Sequence, residues 1–233
     1  TISPKAFLGE AMIMMQCSHE KLIRLYAVCS QEKPLYIVTE LMSKGNLLDY
    51  LREGEGETIT FVVMVDMAAQ IASGMAYLEQ NKIIHRDLAA RNIFVGDNNT
   101  VKVGNFGQAK VVEDGEYNAE KGEKFPVRWT APEAALFGKF TIKSDVWSYG
   151  ILLTEILTRG DMPYQGMAIG EALEQVDLGY RMPMPSNCLE SMYEMMLKCW
   201  DRKAENRPTF EFLFSFFDDY FISTEPDYGD WED

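Results

Sequence analysis

The 233-residue sequence predicts an α+β chain in which a small strand-bearing part precedes a larger helical one. Short β-like runs cluster near the start, helical spacing dominates after Gly45, and 47% hydrophobic with 12% aromatic residues is enough to fill a core. The same composition excludes a disordered or low-complexity chain. Ser3 to Cys17 reads as a helix: Ser3 can cap it, Pro4 suits its first turn, and Phe7, Ala11 and Met14 share a face. Leu22 to Cys29 and Leu35 to Leu41 follow as β-like runs around the polar turn from Ser30 to Pro34. Asn46 to Arg52 is a short helix, and Phe61 to Gln80 a long one with Val65, Ala68, Ala69, Ala72, Met75 and Ala76 at helical spacing. Ile93 to Val95 and Val101 to Val103 flank an Asp97-Asn98-Asn99 turn, and helical patterns return at Lys143 to Thr158, Ile169 to Leu178, Leu189 to Trp200 and Thr209 to Phe217. The expected divisions are residues 1–41, 42–217 and an acidic tail, 218–233, with no internal repeat.

Lys and Arg total 22 against 36 Asp and Glu, a net charge of -14, half of it in a tail that has seven acids and no base from Asp218 onward. Such a surface repels phosphate backbones and anionic lipid, which argues against nucleic-acid partners and polybasic membrane attachment. Cys17, Cys29, Cys188 and Cys199 form no CxxC pair and lie in apolar segments, so they read as buried free thiols in a reducing compartment. No apolar run is read as approaching the ~20 residues of a membrane span, and no signal peptide is visible, although the sequence opens on Thr1. Trp147 and Trp200 sit on apolar helical faces and read as core, as do Met12, Met14 and Met15.

His85-Arg86-Asp87-Leu88-Ala89-Ala90-Arg91-Asn92 is the richest stretch for chemistry, a run of polar groups between a long helix and a short strand. An Asp able to take a hydroxyl proton, with an Asn five residues on to hold a hard cation, suits phosphoryl transfer. The His-Arg-Asp triplet alone reads equally as a solvated loop beside a core histidine; the full octet favours the site. Asn105-Phe106-Gly107 follows a strand, then Ala131-Pro132-Glu133, Asp145-Val146-Trp147-Ser148-Tyr149-Gly150 and Arg207-Pro208-Thr209.

In this order the motifs resemble the protein-kinase catalytic domain. The octet, with Phe125-Pro126-Val127-Arg128-Trp129-Thr130, resembles the tyrosine-kinase form. Asp66 to Tyr77, Lys143 to Trp147, Gly179 to Pro183 and the tail Ser223 to Tyr228 resemble cytoplasmic kinases related to Src. The resemblance implies a bilobal fold, with residues 1–41 an incomplete small lobe bearing helix C and its last strands, and 42–217 the large lobe. It implies ATP and Mg²⁺ as cofactors, tyrosine-bearing proteins as substrates, and a cytoplasmic location that reaches the inner membrane face through a region before Thr1. Asp87 corresponds to the catalytic base, Arg91 to the arginine beside it, Asn92 to a magnesium ligand, and Asn105 to the second metal position. Thr39 matches the gatekeeper, Glu40, Leu41 and Met42 the hinge that reads adenine, Asp49 the ribose contact and Phe94 the adenine floor. Glu10 matches the helix-C glutamate that pairs with the phosphate-binding lysine. Tyr117 falls at the activation-loop phosphotyrosine, with Arg86 to clamp its phosphate, and Tyr228 at the inhibitory tail tyrosine that binds an SH2 domain once phosphorylated. Glu133 and Arg207 match a buried structural pair, Asp145 the acid of its motif, and Met14, Phe106 and His85 a hydrophobic stack beside Gly107.

Three departures accompany these matches. Asn105 stands where kinases carry the magnesium-binding Asp, and an amide lacks the charge that offsets a hard divalent ion. The sequence contains no G-x-G-x-x-G and no lysine matched to Glu10, and Gln108 and Lys110 replace the usual Leu and Arg. Two functional expectations stand together: a Src-like tyrosine kinase with weakened transfer, and a pseudokinase scaffold that docks partners.

Overall fold

The computed structural model describes residues 3–223, so Tyr228 and the acidic end of the tail lie outside the described residues. α1 (Pro4–Gln16) begins where the Ser3 hydroxyl accepts the Ala6 N–H at 3.1 Å. Its inner face is Ala11 and Met14, both buried. Met12 and Met15 are not core: they are 63% and 70% exposed. Met12 lies on the far side of the helix, and Met15 borders an open cavity of about 850 Å³.

β1 (Leu25–Cys29) and β2 (Tyr36–Thr39) form an antiparallel hairpin, with Leu25 opposite Thr39 and Cys29 opposite Tyr36. Leu22 and Ile23 do not extend this hairpin as expected; Leu22 bridges Val103, and the Ile23 N–H donates to the Val103 carbonyl at 2.9 Å. Cys29 is also a correction, since it is exposed on this two-stranded sheet, while Cys17 is half-buried and Cys188 and Cys199 are buried.

α2 (Leu47–Arg52) is capped by Asn46, and α3 (Phe61–Gln80) by Thr60. α3 corrects the expectation about apolar runs, because its length and mean hydropathy of 1.5 do reach those of a membrane span. With 61% of that window buried inside the fold, it is the helix around which the larger part packs. β3 (Ile83–Ile84), β4 (Ile93–Val95), β5 (Val101–Val103), β6 (Lys110–Val111) and β7 (Glu116–Asn118) follow, with β3 pairing β6 and β4 pairing β5. α4 (Pro132–Phe137) stops at Gly138, whose φ of +69° is a left-handed conformation that glycine adopts without penalty. β8 (Lys139–Thr141) then pairs with β7 and sets Tyr117 opposite Phe140.

α5 (Ile142–Leu157) is buried at every residue from Ser144 to Leu157. Thr141 and Ser144 cap it reciprocally. α6 (Ile169–Asp177), α7 (Glu190–Cys199), α8 (Phe210–Asp218) and α9 (Tyr220–Ser223) complete the described chain. Trp147 and Trp200 are core residues, each 1% exposed. The architecture is mixed α+β, mostly helical with small two-stranded sheets.

Gly150 on α5 lies against the end of α7. A Cβ there would stand 2.5 Å from Trp200 Nε1 and 2.9 Å from the Cys199 Cβ. Overpacking of that kind costs roughly 1–3 kcal/mol, while alanine improves helix propensity by only about 1 kcal/mol. Gly150→Ala is therefore expected to lower the midpoint of thermal unfolding by several degrees; an unchanged or raised midpoint would contradict the packing described.

Candidate active site

Asp145, in the first turn of α5, is the anchor of the His85–Asn92 segment. Its carboxylate is buried and accepts the backbone N–H of His85 at 2.7 Å and of Arg86 at 2.9 Å. Burial raises its pKa, opposed by the nearby His85 and by those two N–H groups. Arg86 has φ +70°, a left-handed conformation that costs a non-glycine residue roughly 1–3 kcal/mol, and the Asp145 bonds hold it there. His85 Nε2 donates to the Gly104 carbonyl at 2.8 Å, while its Nδ1 accepts the Asp87 N–H at 3.2 Å. The ring thereby carries its proton on Nε2 and ties the loop to the end of β5. Phe106 packs edge-on against it, centroids 5.5 Å apart, in the same core cluster as Met14.

Asp87, Arg91 and Asn92 come together as the sequence suggests. One Arg91 guanidinium nitrogen donates to Asp87 Oδ1, and Asn92 Nδ2 donates to the Asp87 carbonyl at 2.7 Å. The Arg91 guanidinium also lies 4.4 Å from the centre of the Trp129 ring, linking the loop to the segment before α4. Glu155, buried on α5, accepts both the Ala90 N–H and the Trp129 indole N–H at 2.9 Å. Burial raises its pKa despite these bonds. Sequence reasoning passes over Glu155, although a lone carboxylate inside the apolar run Ile151 to Leu157 is the available signal.

The β4–β5 hairpin brings Asn105 to Asn92. Asn105 Nδ2 donates to Asn92 Oδ1 at 2.8 Å, so the two positions expected to face a metal bond to each other. Asn105 is exposed, with φ +54°, a left-handed conformation that Asn tolerates. Glu10 reaches the same loop from α1: its carboxylate accepts the Phe106 N–H and lies 3.6 Å from where a Cβ on Gly107 would sit. Burial raises the Glu10 pKa, and among the described residues no ion pair involves it.

The residues expected around adenine occupy the connection from β2 to α2. Thr39 ends β2 half-buried, and Glu40 accepts the Arg24 N–H at 2.7 Å and pairs with Lys102 at 3.0 Å. The Leu41 side chain is 92% exposed, and Met42 packs beside Gly96. The chain then runs along β4, Lys44 donating to Val95 and Asn46 bridging Phe94. Asp49, exposed in the first turn of α2, accepts Asn46 Nδ2 at 2.6 Å. Phe94 and Asn92 thus stand on one hairpin, which connects the adenine side to the catalytic loop. The 850 Å³ cavity lies elsewhere, between α1 and β1, and shares only Glu40 with these residues.

Tyr117 lies beside Arg86, with the guanidinium 4.5 Å from the ring centre. Arg86 is engaged by an acid that sequence reasoning misses: its Nη2 pairs with Glu123 Oε1 at 2.6 Å. Further along, Arg207 makes a bidentate pair with Glu133, at 2.7 and 2.9 Å, and also donates to the Asp201 and Lys143 carbonyls.

An Asp tied to an Arg and an Asn, on a loop hung from a buried acid and a histidine, is a layout that suits phosphoryl transfer. Residues 2–217 match the family described as protein tyrosine and serine/threonine kinase, and the chain belongs to it as a protein tyrosine kinase domain. It is 59% identical to the Tyrosine protein-kinase src-1 of Caenorhabditis elegans, over 98% of this chain and 44% of that relative. The chain therefore spans less than half the length of that curated relative.

The Glu133–Arg207 pair gives a direct check on how this segment is held. Glu133→Gln would leave a guanidinium of 0% side-chain exposure without its counter-charge. Breaking one side of a buried pair costs roughly 3–5 kcal/mol. The 21% exposure of Glu133 argues for the lower end, read as a fall in the urea midpoint with unchanged slope.

Proposed function

We propose that the chain is the catalytic portion of a Src-like, non-receptor protein-tyrosine kinase, using MgATP to phosphorylate protein tyrosines in the cytoplasm, with its own transfer step weakened at Asn105. In this reading Asp87 takes the tyrosine hydroxyl proton, Arg91 holds Asp87 in place, and Asn92 offers an amide oxygen to the metal. Thr39 to Met42, Asp49 and Phe94 receive the nucleoside. Residues 1–41 belong to the small lobe and 42–217 to the large one. Tyr117 and Tyr228 are the sites for phosphate, the second for capture by an SH2 domain.

The observation that carries the weakening is the 2.8 Å bond from Asn105 to Asn92. Mg²⁺ is bound through carboxylates and phosphate oxygens. Here the second position offers no negative charge, and its N–H occupies the oxygen that the first position would give. Mg²⁺, where bound, neutralises charge developing on the transferred phosphoryl group. The residues fit it poorly: one of the two lone pairs of the Asn92 oxygen is engaged by Asn105, and the lost charge corresponds to roughly 10²-fold or more in rate. The same pair supports a second reading, a pseudokinase scaffold whose biological effect does not need transfer.

In a chain extended at its N-terminus with a Gly-rich loop and strand lysine, Asn105→Asp is expected to raise Mg²⁺-dependent phosphate incorporation into a tyrosine peptide by about 10²-fold, and Asp87→Asn in that background to remove the gain. Metal-dependent turnover by the unaltered chain at the rate of the Asn105→Asp variant would overturn the weakening. A cellular effect that survives Asp87→Asn would favour the scaffold.

A further inference from the structure

The seat expected for phosphate on Tyr117 is already taken by an acid of the chain itself. Arg86 has a side chain only 2% exposed and lies between two rings, 4.5 Å from the Tyr117 centre and 4.4 Å from that of Phe140. Its Nη1 donates to the Gln108 carbonyl at 3.2 Å and its Nη2 to Glu123. Its buried Nε–H has no hydrogen-bond partner among the described residues. Glu123 is committed on both oxygens. Oε1 takes Arg86, while Oε2 accepts the Tyr117 hydroxyl at 3.0 Å and the Glu120 N–H at 3.1 Å. Burial works against the Glu123 charge, but the Arg86 bond and charge prevail and hold its pKa below the ordinary carboxylate value.

We propose that Glu123 is a built-in counter-anion of Arg86 that closes the segment from Lys110 to Phe125 without phosphorylation, and that phosphate on Tyr117 and the Glu123 carboxylate compete for that one guanidinium. Transfer of the γ-phosphoryl of ATP by another tyrosine kinase would form the bond from Tyr117 Oη to phosphorus. It would break the bond to ADP and release the phenolic proton. The product carries close to two negative charges where the hydroxyl now donates to a carboxylate. Phosphate and Glu123 cannot both stay, since like charges at hydrogen-bond distance repel. Lys110, over the Tyr117 ring at 5.1 Å from its centre, is a second cation beside that residue, and Arg86 keeps an unpartnered Nε–H. Phosphorylation therefore exchanges one anchor for another and expels Glu123, with Lys121 and Lys124 on either side of it. The proposal concerns closure of the segment and does not depend on whether the chain transfers phosphate.

Limited trypsin digestion tests it, because Lys121 and Lys124 become substrates when Glu123 leaves Arg86. Glu123→Ala is expected to raise the rate of cleavage after these lysines at least tenfold over the unaltered chain. Glu123→Gln, which keeps one acceptor oxygen and loses the second together with the charge, should fall between. Phosphorylation of Tyr117 in the unaltered chain by an active tyrosine kinase with MgATP should raise cleavage toward the Glu123→Ala rate, because phosphate then takes Arg86 and Glu123 leaves it. Tyr117→Phe in the otherwise unaltered chain should abolish that rise. Equal cleavage of the Glu123→Ala and unaltered chains overturns the proposal. So does a phosphorylated chain cleaved no faster than the unphosphorylated one, and so does global melting of Glu123→Ala below the assay temperature, which would make Glu123 a general stabiliser.

Discussion

The carboxylate of Asp145 is the junction on which the site depends. It is fixed in a helix buried along nearly its whole length, and it receives two consecutive backbone N–H groups from the catalytic loop. A buried acid is costly, and its raised pKa records that cost. The two amides and the neighbouring His85 and Arg86 work against that rise. In return the loop takes a backbone conformation that Arg86 would not adopt alone. That conformation directs Asp87 one way, toward Arg91, and the Arg86 side chain the other, toward Tyr117. A single buried carboxyl group thus orients Asp87 and Arg86 together.

Glu155, ten residues along the same helix, repeats the device. It holds the loop at Ala90 and the segment before α4 at Trp129, so α5 serves as a rigid rail to which both walls of the site are fastened. The Arg207–Glu133 pair fastens the far end, with Arg207 lying 5.0 Å from the centre of the Trp147 ring on α5. Flexible polar segments become a defined site because each is tied to the buried helix by a charge-assisted bond, worth more than a neutral one in low dielectric.

What is legible in the sequence follows from this arrangement. Long elements with a consistent apolar face, α3 above all, are readable to the residue, because burial on one side imposes a period. The candidate residues Asp87, Arg91 and Asn92 are readable as a group because their types and spacing fall along one short loop. The two- and three-residue strands β3, β6, β7 and β8 are not, whereas the equally short β4 and β5 are, because the Asp97-Asn98-Asn99 turn between those two marks a hairpin. The start of β1 is misplaced by the apolar pattern because Leu22 is apolar for another reason: it is buried where it bridges Val103. Met15 misleads because a helical wheel gives the direction of a side chain but not whether anything faces it. Glu123 is invisible because its partner lies 37 residues earlier, and no local pattern records a contact made by folding.

Asn105 and Glu123 bring these threads to one physical comparison. At each end of the segment that follows β5, a position where a kinase receives an ionic ligand is filled by a side chain of the chain itself. The Asn105 amide donates to the Asn92 oxygen proposed for a metal, and the Glu123 carboxylate takes the Arg86 guanidinium proposed for a phosphate. The two closures differ in strength. An amide–amide hydrogen bond at an exposed position contributes about 1 kcal/mol or less. A carboxylate–guanidinium bond with the cation buried between two rings belongs to the stronger, charge-assisted class, at roughly 1.5–3 kcal/mol. The metal end is therefore closed weakly, and what it lacks is attraction for the cation; the Tyr117 end is closed firmly, and what it resists is exchange of one anion for another.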